Sequence, residues 1–190
     1  MGGFAGGDEG GYWDIDVPPL STAQQNDNQS KNFTRKNSDI EIGDSICSIK
    51  AHAKVKSLSG WIRVEELYDT ISFVSCQCET FTIQGCDDIP LESNTIYKGY
   101  LSLVEYTNDS DIVDFFYSHK VVVTKCIPLS AGLGGGSSDA AAFLRLVKEV
   151  CNLVLSKDEL AKIGSKIGAD VAFFIYDSID QNNPLSKITL

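Results

Sequence analysis

Residues 128–142 read PLSAGLGGGSSDAAA, and four of the chain's sixteen glycines, Gly132, Gly134, Gly135 and Gly136, fall within five positions there. These residue types suit the holding of an anion, because glycine lets backbone N–H groups approach a phosphate with no Cβ in the way. A strand-like run at 121–126 (VVVTKC) leads in, and a helix-like run at 138–153 leads out. The first turn of such a helix offers unpaired N–H donors and the positive end of its dipole. Spelling excludes two familiar phosphate loops. The Walker pattern requires Gly-Lys-Ser/Thr, and Gly136 is followed by Ser137, Ser138 and Asp139. The dinucleotide fingerprint requires glycine or alanine three positions after its second glycine, and Ser137 stands there after Gly134. A plain surface turn needs one or two glycines, not four.

The spelling P-x-S-A-G-L-G-G-G-S-S-D-A-A resembles the nucleotide loop of the GHMP small-molecule kinases. The double serine followed by aspartate and alanines is similar to the subfamily that phosphorylates 4-diphosphocytidyl-2-C-methyl-D-erythritol in non-mevalonate isoprenoid biosynthesis. Two further stretches carry the resemblance. Residues 168–174, GADVAFF, match G-x-D-V-x-F-F, whose aspartate, here Asp170, is the family's base on the substrate hydroxyl. Residues 51–55, AHAKV, match A-x-A-K-V/I-N, whose lysine, here Lys54, pairs with that aspartate and stabilises the transferring phosphoryl. A cation beside Asp170 would keep it ionised and ready to accept a proton.

The resemblance implies an ATP-dependent kinase acting on the 2-hydroxyl of its acceptor, with ATP and Mg²⁺ as cofactors and a cytidine-diphosphate-linked methylerythritol as the small-molecule partner. The phosphate loop is then Pro128, Leu129, Ser130, Ala131, Gly132, Leu133, Gly134, Gly135, Gly136, Ser137 and Ser138. Asn94 corresponds to a stretch near the nucleoside end, and Ser138 is a candidate Mg²⁺ ligand. Each of these residues also has a structural reading. Ser137 and Ser138 suit the N-cap of the following helix, as Asn94 suits the cap of an earlier one. Asp170 stands between a helix stop and an apolar run, where a carboxylate is costly to bury unless paired. Lys54, taken alone, reads as a solvated strand residue.

The resemblance covers about 49–176, with three departures. Lys56 replaces the asparagine expected after Lys54-Val55. No Tyr-His dipeptide exists to read the cytidine end, and His52 and His119 lie elsewhere. The family's C-terminal domain is missing from the 190 residues. These departures leave a catalytically impaired remnant as one alternative. Another GHMP kinase, acting on mevalonate, homoserine or a sugar, is a second, against which GGGSSD argues.

The elements that must position these residues follow in order. Residues 1–45 are rich in Gly, Ser, Gln, Asn and Asp without sustained periodicity, and we expect a disordered leader. The domain is expected over 46–176, with a tail or continuation at 177–190. Strands are expected at 46–55, 61–67, 70–74 and 79–83. A helix is expected at 94–106, and a second helical piece at 111–117. Ser156-Lys157-Asp158-Glu159 spells a capping box for a helix that stops at Gly168. Residues 171–176, VAFFIY, read as a buried strand. The order is α+β, and the resemblance implies a two-layer fold of the ribosomal-protein type with a left-handed βαβ crossover.

A net charge of −10 excludes a basic face for nucleic acid. No run of eighteen apolar residues crosses a membrane. The six cysteines show no CxxC and no zinc spacing, so reduced thiols and a cytoplasmic location are expected. Cys126 and Cys151 read as small core residues.

Overall fold

The computed structural model describes residues 39–43, 46–58 and 60–176. Most of the expected leader and all of 177–190 lie outside them. Five strands form one sheet: β1 (Ile40–Ile42), β2 (Ile46–Ser57), β3 (Gly60–Ser75), β4 (Ile83–Gln84) and β5 (His119–Thr124). Their order is β1-β2-β3-β5-β4. All neighbours are antiparallel except β4 and β5, which run parallel. The chain passes from β4 to β5 through α1 (Thr95–Thr107) and α2 (Ser110–Tyr117). Three more helices follow: α3 (Gly135–Val150), α4 (Lys157–Ile167) and α5 (Ala169–Tyr176).

Alternate residues of the central strands, Ile49 and Ala51, Ile71 and Phe73, Val121 and Val123, are buried, as period-two side-chain placement requires. α3 packs on β2 and β3 and touches α1, α4 and α5. Its alanines, Ala140, Ala141 and Ala142, are buried beside Phe143, Leu144, Leu146 and Val147. Phe73, Phe116 and Phe143 meet edge-on or tilted at 5.3–5.8 Å between ring centres. Each such fully buried ring contributes about 1.5–3 kcal/mol relative to exposure.

Four local expectations change. Residues 39–43, placed in the leader, instead add β1 to the sheet edge, with Ile40 paired to Ile49. Here Asp39 is buried and takes both arms of Arg63 at 3.1 and 3.2 Å. The strands expected at 61–67 and 70–74 are one strand, β3. The apparent break is an irregularity: His52 pairs with Tyr68 but Ala53 with Val64, leaving Glu65, Glu66 and Leu67 opposite no residue of β2. The strand expected at 79–83 shrinks to β4. Residues 171–176 are helical, within α5. There Val171, Phe174 and Ile175 are buried at i, i+3 and i+4 against α4 and α3, so helical packing overrides β-rich composition.

The caps of α1 and α4 match their spelling, but that of α3 does not: its N-cap is Gly134, and Ser137 and Ser138 lie inside the helix. Asn94 caps α1 by accepting from the Ile96 N–H at 2.9 Å. Ser156 and Glu159 form a reciprocal capping box at α4. The cysteines depart from expectation. Cys76 and Cys78 form a disulfide, Cys126 is exposed, and Cys151 is half-buried.

Candidate active site

The glycine loop joins β5 to α3, and backbone geometry accounts for its composition. Ser130, Gly132 and Gly134 have φ of 59°, 73° and 71°, the left-handed region that glycine enters without penalty. Gly134 is the N-cap of α3 and supplies no side-chain cap. The Ser138 N–H is bonded to Gly134 O at 2.9 Å. Gly135, Gly136 and Ser137 precede it in the first turn, where N–H groups have no acceptor within the helix. Residues 128–137, with Thr95 and Lys125, line a hollow of about 260 Å³. Thr95 Oγ1 donates to Gly136 O at 2.6 Å, fixing the first turn of α3 to the start of α1.

Lys54 and Asp170, far apart in sequence, meet beside this loop. Lys54 Nζ lies 2.9 Å from Asp170 Oδ2. The lysine reaches this point from β2, two residues past the His52/Ala53 irregularity. Bulges of this kind recur next to functional sites, where they re-aim side chains. Asp170 stands in the first turn of α5, whose dipole favours a carboxylate. The Lys54 N–H donates to Leu133 O at 3.0 Å, tying the strand to the loop. Three aromatic faces enclose the ammonium: Trp61 at 4.3 Å, Phe173 at 5.0 Å and Phe174 at 5.2 Å. A desolvated cation over such rings gains about 2 kcal/mol or more. Lys54 is only 2% exposed, whereas Asp170 is 57% exposed. The carboxylate is therefore open to an incoming hydroxyl while its cation is sealed behind it.

Two expected ligands lie elsewhere. Ser138 is buried and its hydroxyl donates to His52 O at 2.7 Å, so Ser137, not Ser138, lines the hollow. Asn94 is buried and spends its side-chain oxygen as the α1 cap. The chain's histidines are structural. His52 is buried, with Nδ1 3.2 Å from Val64 O, and His119 stacks on Phe115. The β2–β3 hairpin closes tightly, with Ser57 opposite Gly60 and Ser57 Oγ donating to Gly60 O at 2.9 Å. Trp61, 45% exposed, follows directly.

Sequence reading missed a second charged group under the loop. Lys125 Nζ donates to Asp69 Oδ2 at 2.6 Å and to Asp139 Oδ2 at 2.8 Å. Burial pushes the Asp139 carboxyl up to about 7, against the pull of Lys125 and with the help of Asp69. Burial works against the Lys125 charge, but the two carboxylates outweigh it and raise its pKa. The available signal was weak: a lone lysine after VVVT, and an aspartate, Asp69, in the gap between two expected strands.

The glycine loop thus opens a helix, and the lysine–aspartate pair stands beside it in an α+β fold. Residues 94–178 match the family model described as GHMP kinases N terminal domain. Within that superfamily the chain resembles 4-diphosphocytidyl-2-C-methyl-D-erythritol kinase. It is 51% identical over 144 residues to the kinase of that name from Sulfurovum sp. (strain NBC37-1), covering 68% of this chain and 56% of the relative. It is 47% identical over 123 residues to that from Sulfurimonas denitrificans, covering 63% and 46%. The chain thus spans about half the length of the curated relatives it matches. The Methanococcus jannaschii mevalonate kinase structure superposes with a TM-score of 0.51 at 18% identity, covering 66% of this chain and 47% of that one, and shares the fold. Among the described residues no helix is long and apolar enough to cross a membrane.

Proposed function

We propose that this chain carries the phosphoryl-transfer half of a 4-diphosphocytidyl-2-C-methyl-D-erythritol kinase, moving the γ-phosphoryl of ATP to the acceptor's 2-hydroxyl. The observation that carries the reading is the Lys54–Asp170 contact of 2.9 Å beside the glycine loop. The loop N–H groups and the α3 dipole hold the triphosphate. Asp170 accepts the hydroxyl proton as the oxygen attacks phosphorus, and ADP leaves. Lys54 sets a positive charge beside Asp170 and neutralises charge on the transferring group. A cytoplasmic location goes with ATP as donor.

Magnesium accompanies ATP in many kinases, but the described side chains do not fit a protein-held ion. Ser138 is committed to His52 O, and among the described residues no group of three or more His, Cys, Asp or Glu could hold a metal.

The Ser57–Gly60 hairpin favours a second reading. It closes where the resemblance implies a Tyr-His segment that grips the cytidine end, and grip on remote parts of a substrate is what lowers the barrier at the reacting centre. A chain that binds ATP but holds its acceptor poorly would be an impaired remnant. The test is ADP release from the purified chain with ATP and the cytidyl acceptor, beside calorimetric ATP binding. Turnover abolished by Asp170→Asn supports the kinase reading. ATP binding without acceptor-dependent turnover supports the remnant. Absence of ATP binding overturns both.

A further inference from the structure

The charge trio beneath the loop has no part in the transfer chemistry above, yet its placement is specific. Asp69 is fully buried; one oxygen takes Lys125 and the other accepts the N–H groups of Cys126 and Ile127. Asp139 is buried in the first turns of α3, and among the described residues its Oδ1 makes no hydrogen bond. Lys125 bridges the two, so β3, the loop entry and α3 converge on one ammonium. That ammonium has three donors, and two are spent on the carboxylates. The Lys125 side chain is 21% exposed and lines the hollow of the loop. A Cβ added to Gly135 would lie 3.6 Å from its Nζ, which sets the charge against the first turn of α3.

We propose that Lys125 is the loop's cationic contact to the polyphosphate of the nucleotide, aimed by Asp69 and Asp139. The inference rests on the loop being a nucleotide site. A lysine at a helix N-terminus meets the like-signed end of the dipole, and the two carboxylates offset that repulsion and hold it in place. Above pH about 7, where Asp139 as well as Asp69 is ionised, they also overcompensate: one cation against two anions leaves a net charge of −1 below a site for an anion. Removing the cation and removing one carboxylate must therefore act in opposite directions on anion affinity.

The experiment is calorimetric titration of the full chain at pH 8, where Asp139 is ionised, with ATP and, separately, inorganic tripolyphosphate. Wild type is expected to bind both. Lys125→Met weakens both at least ten-fold. Asp139→Asn keeps the side chain's size and an acceptor oxygen, removes one negative charge, and tightens both several-fold. That variant decides the matter even if Lys125→Met fails to fold, since a trio serving packing alone leaves affinity unchanged or weaker. Asp139→Asn binding no tighter overturns the proposal. So does a Lys125→Met loss confined to ATP, because the lysine would then touch base or sugar. Wild type binding neither ligand overturns the nucleotide reading and the proposal with it. Wild type binding both, with the variants indistinguishable from it, overturns the proposal alone.

Discussion

Lys54 and Asp170 form one ion pair across two very different environments: the ammonium is 2% exposed and the carboxylate 57% exposed, with 2.9 Å between them. The pair is therefore energetically lopsided. Asp170→Asn leaves a desolvated ammonium without its counter-charge, whereas Lys54→Met leaves a carboxylate that water can reach. We expect Asp170→Asn to destabilise the fold by about 1–3 kcal/mol, and Lys54→Met to cost less. Urea denaturation of both variants measures the order, and the reverse order would show that the aromatic enclosure alone stabilises Lys54.

The loop glycines separate into two kinds. A Cβ on Gly134 would sit 3.0 Å from Phe174 Cζ and 3.1 Å from Lys54 Cε, at φ 71°. A Cβ on Gly132, at φ 73°, meets nothing within 4 Å among the described residues. Gly132→Ala should cost about 1–2 kcal/mol, the price of a left-handed residue. Gly134→Ala should cost more, because it also displaces Lys54 and Phe174. Thermal unfolding of the two variants checks this, and equal melting temperatures would remove the close approach from the account.

Two buried aspartates give opposite pH dependences. Burial pushes the Asp39 carboxyl up, but His52 and the Arg63 fork outweigh it and hold it at about 2, below its ordinary 3.8. The unfolded state binds the proton first, so this stability is present above pH about 4 and is lost as pH falls toward 2. It amounts to about 2 kcal/mol. Asp139, raised to about 7, binds its proton more tightly when folded, so its contribution falls as pH rises from about 4 through 7. Asp39→Asn should flatten the acid limb of a stability–pH curve, and Asp139→Asn should raise stability at pH 8. Unchanged curves would contradict both assignments.

Gly164 tests the helical state of α5. A Cβ there would lie 2.7 Å from Ile175 Cδ1 and 2.9 Å from Val171 Cγ1. Gly164→Ala gains helix propensity in α4 yet should lose about 1–3 kcal/mol to overpacking. A stabilised variant by thermal melt would mean that α4 and α5 do not pack closely.

The sequence alone determined whatever depends on neighbours along the chain. The left-handed glycines of the loop, the Asn94 and Ser156 caps, and the 3.6-residue faces of α1 and α4 are local preferences, legible from spelling. The Lys54–Asp170 pair was legible only through resemblance, because no local rule joins residues more than a hundred positions apart. The tertiary structure alone decided the rest. VAFFIY became a helix because Val171, Phe174 and Ile175 find a helix-lined groove, and β propensity yields to that packing. Residues 39–43 joined the sheet because the edge of β2 offered open hydrogen bonds and Arg63 offered Asp39 its charge. Ser138 and Asn94 took structural hydrogen bonds because both are buried, and a buried polar group without a partner costs about 1–3 kcal/mol. Lys125 became a bridge because folding brings Asp69 and Asp139 to one point; in the chain they stand 56 and 14 residues away from it.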